Sequence, residues 1–283
     1  MQNLSDISVI KSVLSRHGFT FSKSLGQNFL VNPSVCPKMA ELCGADENTG
    51  VIEVGAGIGV LTKELSARAK KVVSIELDSR LLPILDETLS EYDNVEIING
   101  DVLELDLNGI IREKFGGMKV VVCANLPYYI TSPIIMKLLE EKLPIESLIV
   151  MVQAEAADRL CAKVGTRESG AVTIAVNFYA HTEQLFFVPR TAFMPEPKVD
   201  SKVIKLNIRK EPFAEIKDED AFFTMIKAAF SKRRKTVMNS LVMGTATKER
   251  LADTLDKHGI PKTSRIEQFS MDDLVTVYKD LYE

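Results

Sequence analysis

The chain has 283 residues, of which 46% are hydrophobic and 26% charged, and its net charge is -4. This length and composition predict a globular protein with one large core and a smaller second domain. No apolar run is long enough to cross a bilayer, and the first residues lack the basic start and apolar block of a signal peptide, so we expect a cytoplasmic protein.

Four cysteines, Cys36, Cys43, Cys123 and Cys161, lie far apart in the sequence and include no C-x-x-C pair. This spacing favours neither a zinc site nor a disulfide framework. We therefore expect no metal, and cysteines that stay reduced and pack as small hydrophobic residues.

Residues 50–150 alternate short β-branched runs with segments of helical spacing, as in "TGVIEVGAG" followed by "VLTKELSARAK". Such alternation predicts a doubly wound α/β domain with a mostly parallel sheet, buried on both faces. Between 170 and 208 the stretches "AVTIAVNFYA", "EQLFFV" and "SKVIKLNI" read as strands with short connections. We expect these three to form an antiparallel edge of the sheet.

The strand pattern ends after Pro212, and four segments with helical spacing follow. Gly244 and Gly259 are candidate helix stops, and Ser270 is a candidate N-cap. The sequence therefore predicts two domains: 1–209, whose N-terminal helical segment is 1–48, and an all-helical domain at 210–283.

A glycine-rich turn, "VIEVGAGIGVLT" at 51–62, places Gly55, Gly57 and Gly59 between a strand and a helix. Glycine there adopts unusual backbone angles and lets a ligand approach the main chain. The spacing is G-x-G-x-G, and not the G-x-G-x-x-G typical of dinucleotide pyrophosphate binding. This disfavours a dinucleotide-dependent oxidoreductase, and nothing downstream resembles a hydride-transfer site.

Polar residues follow the next three predicted strands. Glu76 ends "VVSIEL", where its carboxylate can accept hydrogen bonds from ribose hydroxyls, and Asp101 follows "IING", where it can accept from an amine such as that of adenine. With Gly55 and Asn125 they would share the ligand-binding edge of the sheet. Each alone could be an ordinary turn residue, but four in register with successive strands favour a binding site.

These motifs resemble those of S-adenosylmethionine-dependent methyltransferases. More narrowly, "SLGQNFL" at 24–30, "NLPYYI" at 125–130 and "FMPEPKVDS" at 193–201 resemble the ribosomal RNA adenine dimethylase family, over nearly the whole chain. The resemblance implies dimethylation of two adjacent adenosines near the 3′ end of 16S rRNA. It also implies that Gln27, Asn28 and Leu30 contact the cofactor, in addition to Gly55, Gly57, Glu76, Asp101 and Asn125.

The stretch from Asn125 to Tyr128 has a chemical rationale. An adenine amine is a poor nucleophile, which a site improves by accepting its two N–H groups, one on the Asn125 amide oxygen and one on the Leu126 carbonyl. Pro127 biases Leu126 towards an extended conformation that projects this carbonyl. Tyr128 then offers a ring to a flipped base. Ordinary packing of Tyr128 is the alternative.

Phe193, on a loop with Pro195 and Pro197, is open between core and site when the residues alone are considered. The resemblance assigns it to the opposite face of the target base. Because a second methyl group must follow the first, the pocket also needs room for an N-methyl group.

A basic cluster, "SKRRKT" at 231–236, contains Lys232, Arg233, Arg234 and Lys235. It would be a solvated helix face if considered alone, but beside an adenine receptacle it indicates contact with rRNA phosphates. Arg190 and Lys198 are weaker candidates. We expect a monomer that binds the small ribosomal subunit.

Two rival functions share parts of this pattern. DNA adenine methyltransferases use similar chemistry, but their motif has proline where this chain has Leu126. A non-catalytic nucleic-acid-binding protein on the same scaffold, as among mitochondrial transcription factors related to the family, is the other. The intact set of Glu76, Asp101, Asn125 and Tyr128 favours catalysis, with which an assembly role independent of methylation could coexist.

Overall fold

The computed structural model describes residues 4–22, 26–241 and 246–283. Its internal contacts group the chain into two units: unit 1 is Met1–Ala157 with Glu183–Ile208, and unit 2 is Asp158–Thr182 with Arg209–Glu283. Sequence analysis placed one boundary after residue 209 and kept 158–182 with the first domain. The two-domain assignment itself remains a prediction.

The described strands are short and follow one another through helices or turns. They are β1 (Phe29–Leu30), β2 (Thr49–Val54), β3 (Lys71–Glu76), β4 (Val95–Asn99), β5 (Lys119–Asn125), β6 (Ser147–Gln153), β7 (Ala180–Val188), β8 (Phe193–Met194) and β9 (Ser201–Ile208).

The helices alternate with these strands and then continue alone to the C-terminus. They are α1 (Ile7–Arg16), α2 (Val35–Leu42), α3 (Val60–Ser66), α4 (Leu82–Thr88), α5 (Leu107–Phe115), α6 (Thr131–Glu140), α7 (Ala154–Leu160), α8 (Ala171–Tyr179), α9 (Glu219–Ser231), α10 (Val237–Ser240), α11 (Lys248–Lys257) and α12 (Met271–Tyr282). Among the described helices, none combines the length and apolar character that a membrane span needs.

Seven strands form one sheet in the order β4-β3-β2-β5-β6-β9-β7. The pairs among β4, β3, β2, β5 and β6 are parallel, and β9 runs antiparallel to β6. All six residues of β2 are buried, as expected for a strand covered on both faces. The predicted α/β fold, Rossmann-like with an antiparallel edge, is confirmed.

Two core clusters fix the part of unit 1 that forms the site. One joins β2 and β5 to α2, α3 and Phe193; the other joins Ile10, Val13 and Leu14 of α1 to Ile58 of the glycine-rich turn. The N-terminal helix is therefore packed directly on the turn that follows β2.

The predicted strand "AVTIAVNFYA" is wrong, because residues 171–179 form α8. Gly170 precedes the helix in an extended conformation, and its N–H donates to Thr173 Oγ1 at 2.9 Å. Most of the helix is buried. A short run that is apolar on every side shows no period that separates helix from strand, so its β-branched residues were misleading.

Unit 2 confirms several helix boundaries. Ser270 caps α12, since its Oγ accepts from the Asp273 N–H at 3.1 Å. Gly259 follows α11 with a φ of 67°, as expected of a glycine that ends a helix. Among the described residues of the segment "KTVMNSLVMG", four form α10, and Gly244 lies outside the described residues.

Candidate active site

One cleft in unit 1 lies where β2, β3, β4 and β5 end. The structure brings to it every residue that the sequence predicts for cofactor and target base: Gln27, Asn28, Leu30, Gly55, Gly57, Glu76, Asp101, Asn125, Leu126, Pro127, Tyr128 and Phe193. This common location agrees with the rule that ligands of such sheets bind beyond the carboxyl ends of the strands. The role of each residue stays a prediction.

The glycine-rich turn holds two residues in the left-handed region, with φ of 81° at Gly55 and 61° at Gly57. A Cβ on Gly55 would lie 3.7 Å from the backbone oxygen of Asn125, and one on Gly57 would lie 3.4 Å from the Phe29 ring. The backbone conformation alone disfavours other residues at both positions. The turn thus brings bare main chain to the floor of the cleft.

Glu76 ends β3 and is almost fully buried. Its two carboxylate oxygens accept from different backbone groups, Oε2 from the Gly57 N–H and Oε1 from the Asp78 N–H, both at 2.9 Å. Burial raises the pKa of Glu76, and these two hydrogen bonds oppose that shift. The carboxylate is therefore fixed in orientation while it borders the cleft.

Asp101 lies just beyond β4. Its Oδ1 accepts from the Leu103 N–H at 2.9 Å, and its backbone oxygen accepts from the Glu104 N–H at 2.9 Å. These contacts make a tight turn that holds the carboxylate at the cleft wall, one strand away from Glu76.

Asn125 is the last residue of β5, paired with Met151 of β6. Its side chain forms no hydrogen bond with any residue that the structure describes, and it borders the cleft. Pro127 has φ of -59° and ψ of 128°, so the chain leaves the strand extended before the short 3-10 turn Tyr128–Ile130. An amide without a protein partner, held on a rigid strand end, can accept hydrogen bonds from a ligand.

Tyr128 is half-buried, and its hydroxyl oxygen lies 2.6 Å from Oγ of the fully buried Ser201. Burial raises the pKa of Tyr128, so the hydroxyl keeps its proton at neutral pH. Tyr129, by contrast, is 52% exposed at the cleft and packs near Gly26. The first ring is anchored by its hydroxyl and the second is not.

Residues 26–30 form one wall of the cleft, and their polar side chains make hydrogen bonds to other groups of the protein. The Gln27 amide donates to Asp78 at 2.7 Å and accepts from the Ser22 N–H at 2.8 Å, and the Asn28 amide donates to the Gly26 carbonyl at 2.9 Å. Leu30 is buried in the core. Ser24 and Leu25, the first residues of the motif, lie outside the described residues.

Phe193 is both a core residue and a cleft residue. It belongs to β8, which pairs antiparallel with β1, so that Leu30 faces Phe193 and Phe29 faces Met194. The ring is 4% exposed and packs in the core cluster while it lines the cleft. Two of the three family motifs are therefore neighbours in space.

Glu53 was not anticipated from the sequence. It lies in β2, is 1% exposed and lines the cleft, and its Oε2 accepts from Thr62 Oγ1 at 2.6 Å and Ser74 Oγ at 2.5 Å. Burial raises its pKa to about 7. The only signal was an acid inside an otherwise apolar strand, "VIEVG". Among the residues that the structure describes, Glu53 included, no group of three or more His, Cys, Asp or Glu is suited to hold a metal ion.

The predicted RNA-binding cluster lies in unit 2, in the turn after α9 and not on a helix face. Lys232, Arg234 and Lys235 are exposed, whereas Arg233 donates to the Arg167 carbonyl and lies 4.0 Å from Glu267. The sequence analysis did not single out Arg167 and Arg265. With Arg233 and Arg234 they line one groove, called here the arginine-rich groove. The weaker candidate Arg190, in unit 1, pairs with Glu196 at 2.9 Å.

Comparison with known proteins agrees with this arrangement. Residues 18–283 match the family model described as ribosomal RNA adenine dimethylase. The chain is similar to the "Ribosomal RNA small subunit methyltransferase A" of Geobacillus thermodenitrificans (51% identity, 92% of this chain and 91% of that one) and of Anoxybacillus flavithermus (47% identity, 96% and 94%).

Solved structures give the same picture. A dimethyladenosine transferase from Plasmodium falciparum aligns with a TM-score of 0.75 and 26% identity, covering 89% of this chain and 96% of that one. The 23S rRNA methyltransferase ErmE aligns with a TM-score of 0.69 and 27% identity, covering 90% and 100%. A cleft with its polar groups at four strand ends, and relatives matched over nearly their full length, place this chain in the ribosomal RNA adenine dimethylase family, as an S-adenosylmethionine-dependent rRNA methyltransferase.

Proposed function

We propose that this chain dimethylates N6 of two adjacent adenosines near the 3′ end of 16S rRNA during ribosome biogenesis. The observation that carries the proposal is the Asn125 amide, which has no partner among the described residues and stands beside Pro127 and Tyr128 at the end of β5. The names of the small-subunit relatives supply the substrate polymer. The enzyme acts in the cytoplasm, as a monomer.

The cleft has the chemistry to hold S-adenosylmethionine. The buried carboxylate of Glu76 suits ribose hydroxyls, Asp101 suits the adenine amine, and the apolar side chains of Ile58 and Val102 line the space between strand ends. Main chain at Gly55 and Gly57 leaves room for close approach. When bound, this cofactor supplies a methyl group on a positively charged sulfur.

The protein's own contribution to the reaction is to position the target amine. Asn125 Oδ1 and the Leu126 carbonyl accept its two N–H groups, which turns the nitrogen lone pair towards the methyl donor. No strong base is required, because the proton passes to solvent water only after the new C–N bond has made the nitrogen cationic and therefore acidic. After the first transfer one N–H remains, so the second cycle depends on one acceptor and on space for the added methyl group.

Tyr128 and Phe193 receive the flipped base in this proposal. Tyr128 is held by Ser201 and Phe193 by the β1–β8 pairing, so both rings are fixed before the base arrives. Stacking on rings that need no reordering offsets the cost of unstacking the base.

In unit 2, Lys232, Arg233, Arg234 and Lys235 bind phosphates of the rRNA. Three of them are exposed, and two line the arginine-rich groove. Such contacts fix position on the RNA without reading its sequence, which leaves selection of the adenosines to the shape of the RNA around the cleft.

The test incubates the purified protein with isotopically labelled S-adenosylmethionine and small ribosomal subunits that lack the modification. The RNA is digested and its nucleosides are identified by mass spectrometry, with Asn125→Ala as the matched control. The proposal is supported if the wild type forms N6,N6-dimethyladenosine and the variant forms roughly a hundredfold less, or lower still. Cofactor binding without any labelled RNA would replace it with a non-catalytic binding function.

A further inference from the structure

A polar network connects the N-terminal segment with the end of β3. Its centre is Asp78, two residues after Glu76 and 6% exposed. Asp78 Oδ1 accepts from Arg80 Nε at 2.9 Å, and Oδ2 accepts from Arg80 Nη2 at 2.6 Å and from Gln27 Nε2 at 2.7 Å. The Arg80 backbone N–H also donates to Oδ1, at 3.1 Å, so the carboxylate accepts four hydrogen bonds and has a defined orientation.

Gln27 carries this contact into the cleft wall. Its Nε2 donates to Asp78 and its Oε1 accepts from the Ser22 N–H at 2.8 Å, so both ends of the amide are used. The side chain therefore fixes its own backbone, and with it residues 26–30, which line the cleft.

Arg80 holds the same segment from the solvent side. Its guanidinium lies 5.0 Å from the centre of the Phe19 ring, and Nη1 is 3.4 Å from the Thr20 carbonyl. Phe19 and Phe21 in turn pack on Phe29, with ring centres 6.2 and 5.3 Å apart respectively. Residues on both sides of Gln27 are thus attached to the Asp78–Arg80 pair.

The backbone of Asp78 makes the remaining connection, since its N–H donates to Glu76 Oε1 at 2.9 Å. One residue therefore contacts both walls of the cleft: Glu76 through its main chain and Gln27 through its side chain. We propose that Asp78, supported by Arg80, is a positioning residue of the methyl-donor site, which sets the spacing between Glu76 and the wall at 26–30.

This inference rests on the proposed assignment of the cleft to the cofactor, and it assigns a role to a residue that does not line the cleft. The charge attraction between Asp78 and Arg80 contributes little to stability, because the Arg80 side chain is half-exposed. The hydrogen bonds of the buried carboxylate are stronger, and Arg80 keeps the pKa of Asp78 below its usual value, so the carboxylate is charged at neutral pH.

The variant Asp78→Asn tests the proposal because it preserves shape and removes charge. Either orientation of the new amide turns its NH2 group towards an N–H donor of Arg80, and one of the two orientations also turns it towards Gln27 Nε2. We expect the Kd for S-adenosylhomocysteine, measured by calorimetry, to rise about tenfold. Amide hydrogen exchange should become faster at Ser22 and at 26–30, with no change in β5 and β6.

Glu96→Gln is the matched control. Glu96 also lies in unit 1 and its carboxylate is also paired, with Lys71 at 3.0 Å and Lys114 at 2.7 Å, but it does not line the cleft. Its Kd for S-adenosylhomocysteine should stay within about twofold of the wild type, since the partly exposed ion pairs that are lost lie away from the cleft. Should Asp78→Asn fail to fold, Arg80→Met serves instead, with an expected rise of about threefold.

The outcomes separate the two proposals. Wild-type protein that does not bind S-adenosylhomocysteine overturns the assignment of the cleft. Wild-type binding that Asp78→Asn or Arg80→Met leaves unchanged overturns the positioning role while the assignment stands. Weaker binding without faster exchange at Ser22 and 26–30 also overturns it, because the effect would not pass through the wall.

Discussion

The hydroxyl of Tyr128 and Oγ of Ser201 lie 2.6 Å apart, although 73 residues separate them in the sequence. Ser201 begins β9, the strand that runs antiparallel to β6, while Tyr128 follows the end of β5. The predicted base-stacking ring is therefore oriented by the central sheet itself. This contact also connects the motif "NLPYYI" with the last residue of "FMPEPKVDS".

Removal of this contact should slow methyl transfer without abolishing it. In Ser201→Ala and in Tyr128→Phe the ring stays but loses its fixed orientation, so we expect kcat to fall about three- to tenfold, with a stability loss of about 1 kcal/mol. The double variant should lose no more than either single one, because all three lack the same hydrogen bond. Additive losses in single-turnover assays would contradict this reading.

Glu76 should determine cofactor affinity. In Glu76→Ala the hydrogen bonds from the Gly57 and Asp78 N–H groups are lost along with the ribose acceptor, so the Kd for S-adenosylmethionine should rise roughly thirtyfold or more. In the wild type, affinity should decline as the pH falls through the pKa of Glu76, which lies above its usual 4.5. Calorimetry between pH 5 and 8 measures both effects. A Kd that changes neither with the substitution nor with pH would show that Glu76 does not bind the cofactor.

Glu53 should make stability depend on pH. Its pKa is about 7 in the folded protein against a usual 4.5, so its favourable contribution is complete below pH 4.5 and is lost as the pH rises through 7. The shift corresponds to about 3 kcal/mol. In the Glu53→Gln variant the side chain at this position cannot ionise. Its free energy of unfolding relative to that of the wild type should therefore increase by about 2 to 3 kcal/mol between pH 5 and pH 8. Urea unfolding at the two pH values measures this, and a constant difference would contradict it.

Arg234 is the cleanest residue for a test of RNA binding, because it is exposed and lines the arginine-rich groove. Arg234→Glu should weaken binding to small ribosomal subunits and reduce the slope of log K against log salt by about 1 to 2. Lys210→Glu, which reverses another exposed charge of unit 2 outside this groove, is the control. Equal effects of the two variants would indicate a general charge effect and no local site.

Much of the sheet was predictable for a simple reason. Strands such as β6 are buried on both faces and appear as continuous apolar runs bounded by polar residues, so both their existence and the edge they share could be inferred. The same rule failed for α8, where an equally continuous apolar run is a helix buried on most sides.

Without the family resemblance, the site was predictable only where polar residues follow a strand in the sequence. Glu76, Asp101 and Asn125 stand at strand ends, and the cleft contains all three. Ser201 and Asp78 could not be found this way, since their roles depend on partners 73 and 51 residues away. Phe193 was open between core and site because it lies in both, which no local pattern can express.

The two-residue ladder between β1 and β8 joins Leu30 to Phe193 and Phe29 to Met194. Each side of the ladder determines the surface against which the other packs, so natural variation at one side should be accompanied by variation at the other. In a chimaera that takes its first thirty residues from a distant relative, the side chains of β1 would therefore pack poorly against β8, unless residues 193 and 194 were exchanged with them. In protein engineering, β1 and β8 should therefore be exchanged together.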